Sequence, residues 1–155
     1  HPCLQRLGRD APHPNRTWRE AAERLPSRAF SGSALLSVYL DQAFLAGLGN
    51  YLRSEILFVA GIHPAKKARE LSKGEIGKLA RATLHISQRS YALRGVTIPD
   101  RQYKALKKKG ISYGKARFFV FSRANQPCRV CKTKIQRSSA NSRRIYTCAG
   151  CQPND

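Results

Sequence analysis

Acidic residues are scarce in this 155-residue chain. Nine Asp and Glu stand against 29 Lys and Arg, a formal net charge of +20. An excess of that size is more than a fold needs and predicts a polyanionic partner, either nucleic acid or an anionic membrane surface. Long apolar runs are missing too, so nothing is expected to span a bilayer. The opening residues lack the pattern of a secretory signal, and no amphipathic helix has the composition of one that lies on a membrane. That leaves nucleic acid as the expected partner. The chain opens on His1 rather than Met, which predicts a fragment or a processed product. Its length suits one domain or two small ones.

Cysteine is absent from position 4 to position 127. Four of the five cysteines fall in the last 28 residues, as the pairs Cys128/Cys131 and Cys148/Cys151 with sixteen residues between them. This is zinc-ribbon spacing. Each C-x-x-C turn presents two thiolates to one side, and two turns close a tetrahedron around one Zn²⁺ with no open position, so the metal is expected to be structural. A segment this small buries little core, and zinc binding worth about 10–16 kcal/mol in finger peptides can fold it. A disulfide reading would strand an odd cysteine. Cys3 reads as an incidental thiol. Lys132, Lys134, Arg137, Arg143 and Arg144 lie between the pairs, on an expected β-hairpin. Taken singly, each reads as part of a solvated basic loop; on one hairpin they can clamp phosphate.

Along the chain, Cys3–Pro14 reads as an entry loop. A capping box at Thr17–Glu20 opens a short helix that should stop near Pro26. The run from Ser33 to about Leu40 suits a buried helix, although period alone leaves a strand open. From Phe44 to Ile62 the pattern predicts a helix, a tight Gly47-Leu48-Gly49-Asn50 turn, and a second helix. Leu52, Ile56, Leu57, Val59 and Ala60 form its apolar positions, and Gly61 stops it. Such a turn can aim N–H groups at an anion, with Asn50 as a further donor. Without context a plain helix–helix turn explains it equally. A second capping box, Ser72–Glu75, opens a long helix to about Leu93 with Ile76, Leu79, Ala80, Thr83, Leu84 and Tyr91 on one face, ended by Gly95. Residues 94–117 hold eight basic residues and one acid, Asp100, and read as an extended linker, mobile without a ligand. Phe118–Phe121 reads as a short strand. The expected fold is mainly α with a small zinc-bound β-hairpin: a helical domain over 1–93, the basic linker over 94–117, and the four-cysteine finger over 118–155. No internal repeat is present.

The run Leu40–Leu57, LDQAFLAGLGNYLRSEIL, closely resembles the helix-two-turn-helix of the formamidopyrimidine-DNA glycosylase and endonuclease VIII family. Its second half leans toward the endonuclease VIII branch. The closing module resembles that family's zinc finger, including Ser142-Arg143, Tyr146 and the final Cys-x-Gly-Cys-Gln. The opening His1-Pro2-x-Leu-Gln-Arg-x-Gly resembles the stretch between that branch's two lobes. The likeness covers nearly the whole chain and is weakest from Val96 to Gly114.

The resemblance implies a bifunctional base-excision-repair enzyme that removes oxidised pyrimidines and cleaves the strand by β,δ-elimination. An amino-terminal proline amine acts as nucleophile beside a glutamate, on a nucleotide flipped out of the duplex. Pro2 does not match that proline: it follows His1, and Cys3 stands where the glutamate should be. No catalytic residue is therefore expected in this segment, and by itself it should bind DNA without cutting it. Asn50 and Arg143, which lies five residues before the third cysteine, carry over as phosphate grips. Gly47 and Gly49 form the turn, and Cys128, Cys131, Cys148 and Cys151 hold zinc. Glu55 also matches a family position; on a helix it reads equally as a capping or packing partner. Arg144 should add non-specific charge, Tyr51, Tyr91 and Tyr146 should pack, and Tyr113 has a conceivable stacking role. The expected partner is double-stranded DNA with an oxidised base or abasic site, bound by a monomer in a bacterial cytoplasm, near the nucleoid. The alternative is a stand-alone zinc-ribbon nucleic-acid-binding module without enzymatic activity.

Overall fold

The computed structural model describes residues 28, 32–39, 50–140 and 143–154, without the side chains of Leu36, Asn50, Ala140 and Arg143. The entry loop, the Thr17 capping box and the Gly47-Leu48-Gly49 turn lie outside the described residues. Helix α1 (Leu35–Val38) is a single turn, within the run read as a buried helix. Leu35, Val38 and Tyr39 are buried. The Tyr39 hydroxyl lies 2.8 Å from Thr83 Oγ1, which itself donates to the Leu79 carbonyl at 2.8 Å. A buried hydroxyl without a partner would cost about 1–3 kcal/mol, and this chain of bonds avoids it.

Helix α2 (Asn50–Ala60) begins where the glycine turn was expected to end. It stops at Gly61, whose φ of 72° suits a residue without Cβ. The Gly61 amide donates to Phe58 and the Ile62 amide to Leu57. This is the Schellman pairing, and buried Ile62 and Leu57 make its apolar contact. Helix α3 (Lys73–Ala92) starts with the expected capping box: the Glu75 amide donates to Ser72 Oγ at 3.1 Å, and the Ser72 amide to Glu75 Oε1 at 3.0 Å. Leu79, Ala80, Thr83 and Ile86 turn inward against α2, each large apolar side chain contributing about 1.5–3 kcal/mol.

The expected face of α3 is wrong at its end. Tyr91 is 77% exposed, and the buried position is Ser90. At about 100° per residue, the stripe through Leu79, Thr83 and Ile86 continues to Ser90, not Tyr91. Tyr51 of α2 occupies the adjoining space, and its hydroxyl bonds the small Ser90 side chain at 2.9 Å.

Residues 94–117 are not an extended linker. They contain helix α4 (Asp100–Lys108) and the one-turn helix α5 (Tyr113–Ala116). Pro99 precedes α4, Asp100 sits at its positive end and Lys107 and Lys108 at its negative end, all favourable to the helix dipole. Tyr103 and Leu106, three apart, pack against the core. The charge of the segment hid this spacing. The Thr97 amide donates to the Arg117 carbonyl at 2.9 Å and ties the ends together. Gly95 lies in that knot. Its φ is 93°, and a Cβ there would sit 2.6 Å from Arg117 Nη2 and 2.7 Å from the Tyr113 hydroxyl.

Phe118–Phe121 is not a strand either; its amides turn toward one side chain of α2, described below. The antiparallel hairpin β1 (Ile135–Ala140) and β2 (Arg143–Cys148) closes the chain, in register from Ile135–Cys148 to Ala140–Arg143. No described helix is long and apolar enough to cross a membrane.

Candidate functional site

The two C-x-x-C turns meet. Cys128, Cys131, Cys148 and Cys151 bring their Sγ atoms within 4.8 Å of one another. Cys128 and Cys151 are 3.8 Å apart, and Cys131 and Cys148 3.3 Å. A tetrahedron with metal–sulfur arms of about 2.3 Å has edges of about 3.8 Å, so the four fit one soft metal ion. Backbone amides turn to the sulfurs as each turn tightens. Val130 N and Cys131 N reach Cys128 Sγ at 3.4 and 3.5 Å, and Cys151 N reaches Cys148 Sγ at 3.4 Å. These donors favour thiolate, the ligand form. Thr133 Oγ1 lies 3.3 Å from Cys131 Sγ, and hydrogen bonding with the Thr133 side chain, then its backbone and Cys148, brings the Cys131 thiol down to about 6. Burial and the crowding sulfurs push Cys151 up. For all four to be thiolates this close together, a cation would have to sit among them. Gly150 closes the cluster without a side chain: a Cβ there would come within 2.8 Å of both Cys131 Sγ and Thr133 Oγ1.

The second part of the site is α2 itself. Its consecutive polar residues Arg53, Ser54 and Glu55 are fully buried. Arg53 Nη2 donates to the Arg144 carbonyl at 2.7 Å, and Ser54 Oγ accepts from the Tyr146 amide at 3.1 Å. The Glu55 carboxylate accepts the amides of Phe119 (2.6 Å), Val120 (2.8 Å) and Phe121 (3.0 Å), and the Thr97 hydroxyl. Burial pushes Glu55 up, while these four bonds pull it back. All four partners are donors, which an ionised, acceptor-only carboxylate accommodates. Glu55 thus acts as an internal hydrogen-bonding partner that holds the 119–121 turn against α2. At the far end of α2, buried Gln152 donates to the Ile62 carbonyl at 3.0 Å and accepts from the Cys148 amide at 2.9 Å. The finger is thus latched to both ends of one helix.

This docking brings distant residues together. Asn50 lies less than one turn before Arg53, and Arg143 is next to Arg144, so the Arg53–Arg144 bond draws the start of α2 toward the start of β2. The side chains of Asn50 and Arg143 are outside the described residues, as are Gly47 and Gly49. Lys132, Lys134, Arg137 and Arg144 are exposed, as expected of hairpin cations. Tyr51 and Tyr146 pack in an aromatic group with Phe118 and Phe121.

The basic excess has a structural share that composition did not reveal. Arg53, Arg89, Arg117, Arg123 and Arg129 all donate to backbone carbonyls. Burial, then neighbouring Arg123, lowers Arg129 to about 10. Arg53, Ser54 and Glu55 stand in the motif run, but nothing within a few positions marks them as buried, because their partners lie far along the chain.

Relatives place these features in a known context. The sequence model described as the formamidopyrimidine-DNA glycosylase H2TH domain matches residues 7–102. An endonuclease 8 of Escherichia coli (strain UMN026) is 43% identical over 98% of this chain and 54% of its own length. The Shigella sonnei endonuclease 8 is 42% identical over the same shares. The chain therefore spans about half the length of the curated relatives it matches. Among solved structures, the Thermus thermophilus MutM (Fpg) protein superposes with a TM-score of 0.76 at 27% identity, covering 99% of this chain and 56% of that one. The Lactococcus lactis Fpg mutant G226P, in complex with DNA containing Fapy-dG, shares the fold with a TM-score of 0.75 at 22% identity, over 99% of this chain and 55% of its own. Carrying that domain over more than half of its length, the chain belongs to the formamidopyrimidine-DNA glycosylase H2TH family.

Proposed function

We propose that this chain is the DNA-binding, carboxy-terminal half of a base-excision-repair glycosylase and abasic-site lyase acting on oxidised pyrimidines. One structural zinc ion sits among Cys128, Cys131, Cys148 and Cys151. The observation that carries the reading is the Arg53–Arg144 bond, which draws the start of α2 and the start of β2 to one side of the molecule. Asn50 and Arg143 grip phosphates beside the flipped nucleotide there, and the Gly47–Gly49 turn lets the duplex backbone approach the helix start. Zinc has four protein ligands and no open position, so it supplies folding free energy to the hairpin that carries Arg143. The identity to endonuclease 8 proteins supports the pyrimidine branch. The chemistry of base removal and strand cleavage belongs to residues outside these 155, and the chain acts as a monomer on double-stranded DNA.

The test is binding of the zinc-loaded chain to a duplex carrying a stable abasic-site analogue. With about six or more phosphate contacts, affinity should fall roughly 10³-fold or more between 50 and 200 mM salt. Arg143→Ala should weaken binding by about 1–3 kcal/mol, the worth of a charge-assisted bond. Borohydride should trap no covalent adduct with abasic DNA. A flat salt response, or an adduct that depends on Pro2, would overturn the reading.

A further inference from the structure

We infer that helix α4 is a second DNA-contacting surface, a lysine-faced arm that holds the phosphates flanking the damaged nucleotide. The inference rests on the DNA-binding reading above and extends it to residues which that reading leaves idle.

The helix has two unlike sides. Tyr103 and Leu106 are half-buried against the body, while Arg101, Lys104, Lys107, Lys108 and Lys109 are exposed. One acid, Asp100, answers them, at 3.0 Å from Lys104. A helix that needed only solubility would mix signs, and Lys104 and Lys108, four apart, repel each other across one turn. A face so one-sided is complementary to a polyanion.

Its position fits the same duplex. Tyr103 meets Tyr113 edge to face at 6.5 Å, Arg117 lies 4.7 Å over the Tyr113 ring, and the same guanidinium lies 5.4 Å over Tyr51. Tyr51 follows Asn50 at the start of α2. Added end to end, these steps reach at most about five base-pair rises of 3.4 Å, so α4 lies within reach of a duplex seated on the start of α2. The ladder is anchored as well: the Tyr113 hydroxyl donates to the Arg94 carbonyl at 2.7 Å and Arg117 Nε to the Gly95 carbonyl at 3.0 Å. The arm is therefore held in place before DNA arrives, and phosphate contact costs little ordering.

The experiment replaces Arg101, Lys104, Lys107 and Lys108 together with Ser in the zinc-loaded chain. Binding is measured against salt on two duplexes, one undamaged and one with the abasic-site analogue. The slope of log affinity on log salt should shrink by about 2–3, since each lost phosphate contact removes about 0.9. Affinity should fall by the same factor on both duplexes, because phosphates carry no lesion signal. Replacing the three lysines with Arg should keep the wild-type slope, and an unchanged circular dichroism spectrum and zinc content show that the fold survives. An unchanged slope in the Ser variant, with wild-type binding intact, overturns the inference alone. So does a fall confined to the abasic duplex, which would make α4 part of lesion recognition. Absence of salt-sensitive binding in the wild type overturns the DNA-binding reading and the arm with it.

Discussion

The helical body and the cysteine finger are held together by different forces. In the body, Leu35, Ile56, Leu57, Leu79 and Ile86 are fully buried and the apolar area they remove from water supplies most of the stability. In the cysteine module from Cys128 onward, few large apolar residues are buried, chiefly Ile135, Ile145 and Tyr146, and four sulfurs converge instead. Helix α2 serves both. Its apolar residues enter the body's core, while Arg53, Ser54 and Glu55 bond to the finger and to the loop leading into it. Apolar contact tolerates sliding. Directional bonds fix where the hairpin sits, and the proposed site, assembled from α2 and β2, requires that.

The largest expected effect comes from stripping the proposed zinc from the finger. Chelation should free the hairpin amides to exchange while most of the helical far-ultraviolet signal remains, because the metal term, about 10–16 kcal/mol in small finger peptides, belongs to the finger. Loss of the helices in the same step would show that the body does not stand alone. Next is Glu55→Gln, which sets an amide NH₂ against donors. Two of the four bonds should be lost, at about 3 kcal/mol or more in urea unfolding; a change under about 0.5 kcal/mol would refute the ionised, fully bonded carboxylate. Gly150→Ala is smaller and local to the finger. Its Cβ meets a sulfur that the metal pins, so overpacking should weaken metal affinity by about 1–3 kcal/mol while the melting of the body stays put. Smallest is Tyr91→Ser on the exposed side of α3, expected within about 0.5 kcal/mol of the original. A larger loss would restore Tyr91 to the core face.

Both parts were partly legible beforehand, for local reasons. The C-x-x-C spacing, the Ser72–Glu75 capping box and the stop at Gly61 each depend on residues within a few positions of one another, and each is found in the structure. Helix α4 is hidden because its dense charge masks the Tyr103–Leu106 spacing. Pattern alone favours an aromatic residue over the serine beside it, yet Ser90 is what Tyr51 needs and Tyr91 faces solvent.

The four-cysteine cluster, the long capped helix and the family are all legible in the sequence by itself, since cysteine spacing, capping and motif order are written over short stretches of chain. Only the tertiary structure decided what Arg53, Ser54, Glu55 and Gln152 do. Glu55 finds its amides 64 to 66 positions away, and Arg53 its carbonyl 91 away. A polar residue buried on a helix looks the same in sequence as one facing water, because its partner is supplied by the fold rather than by its neighbours.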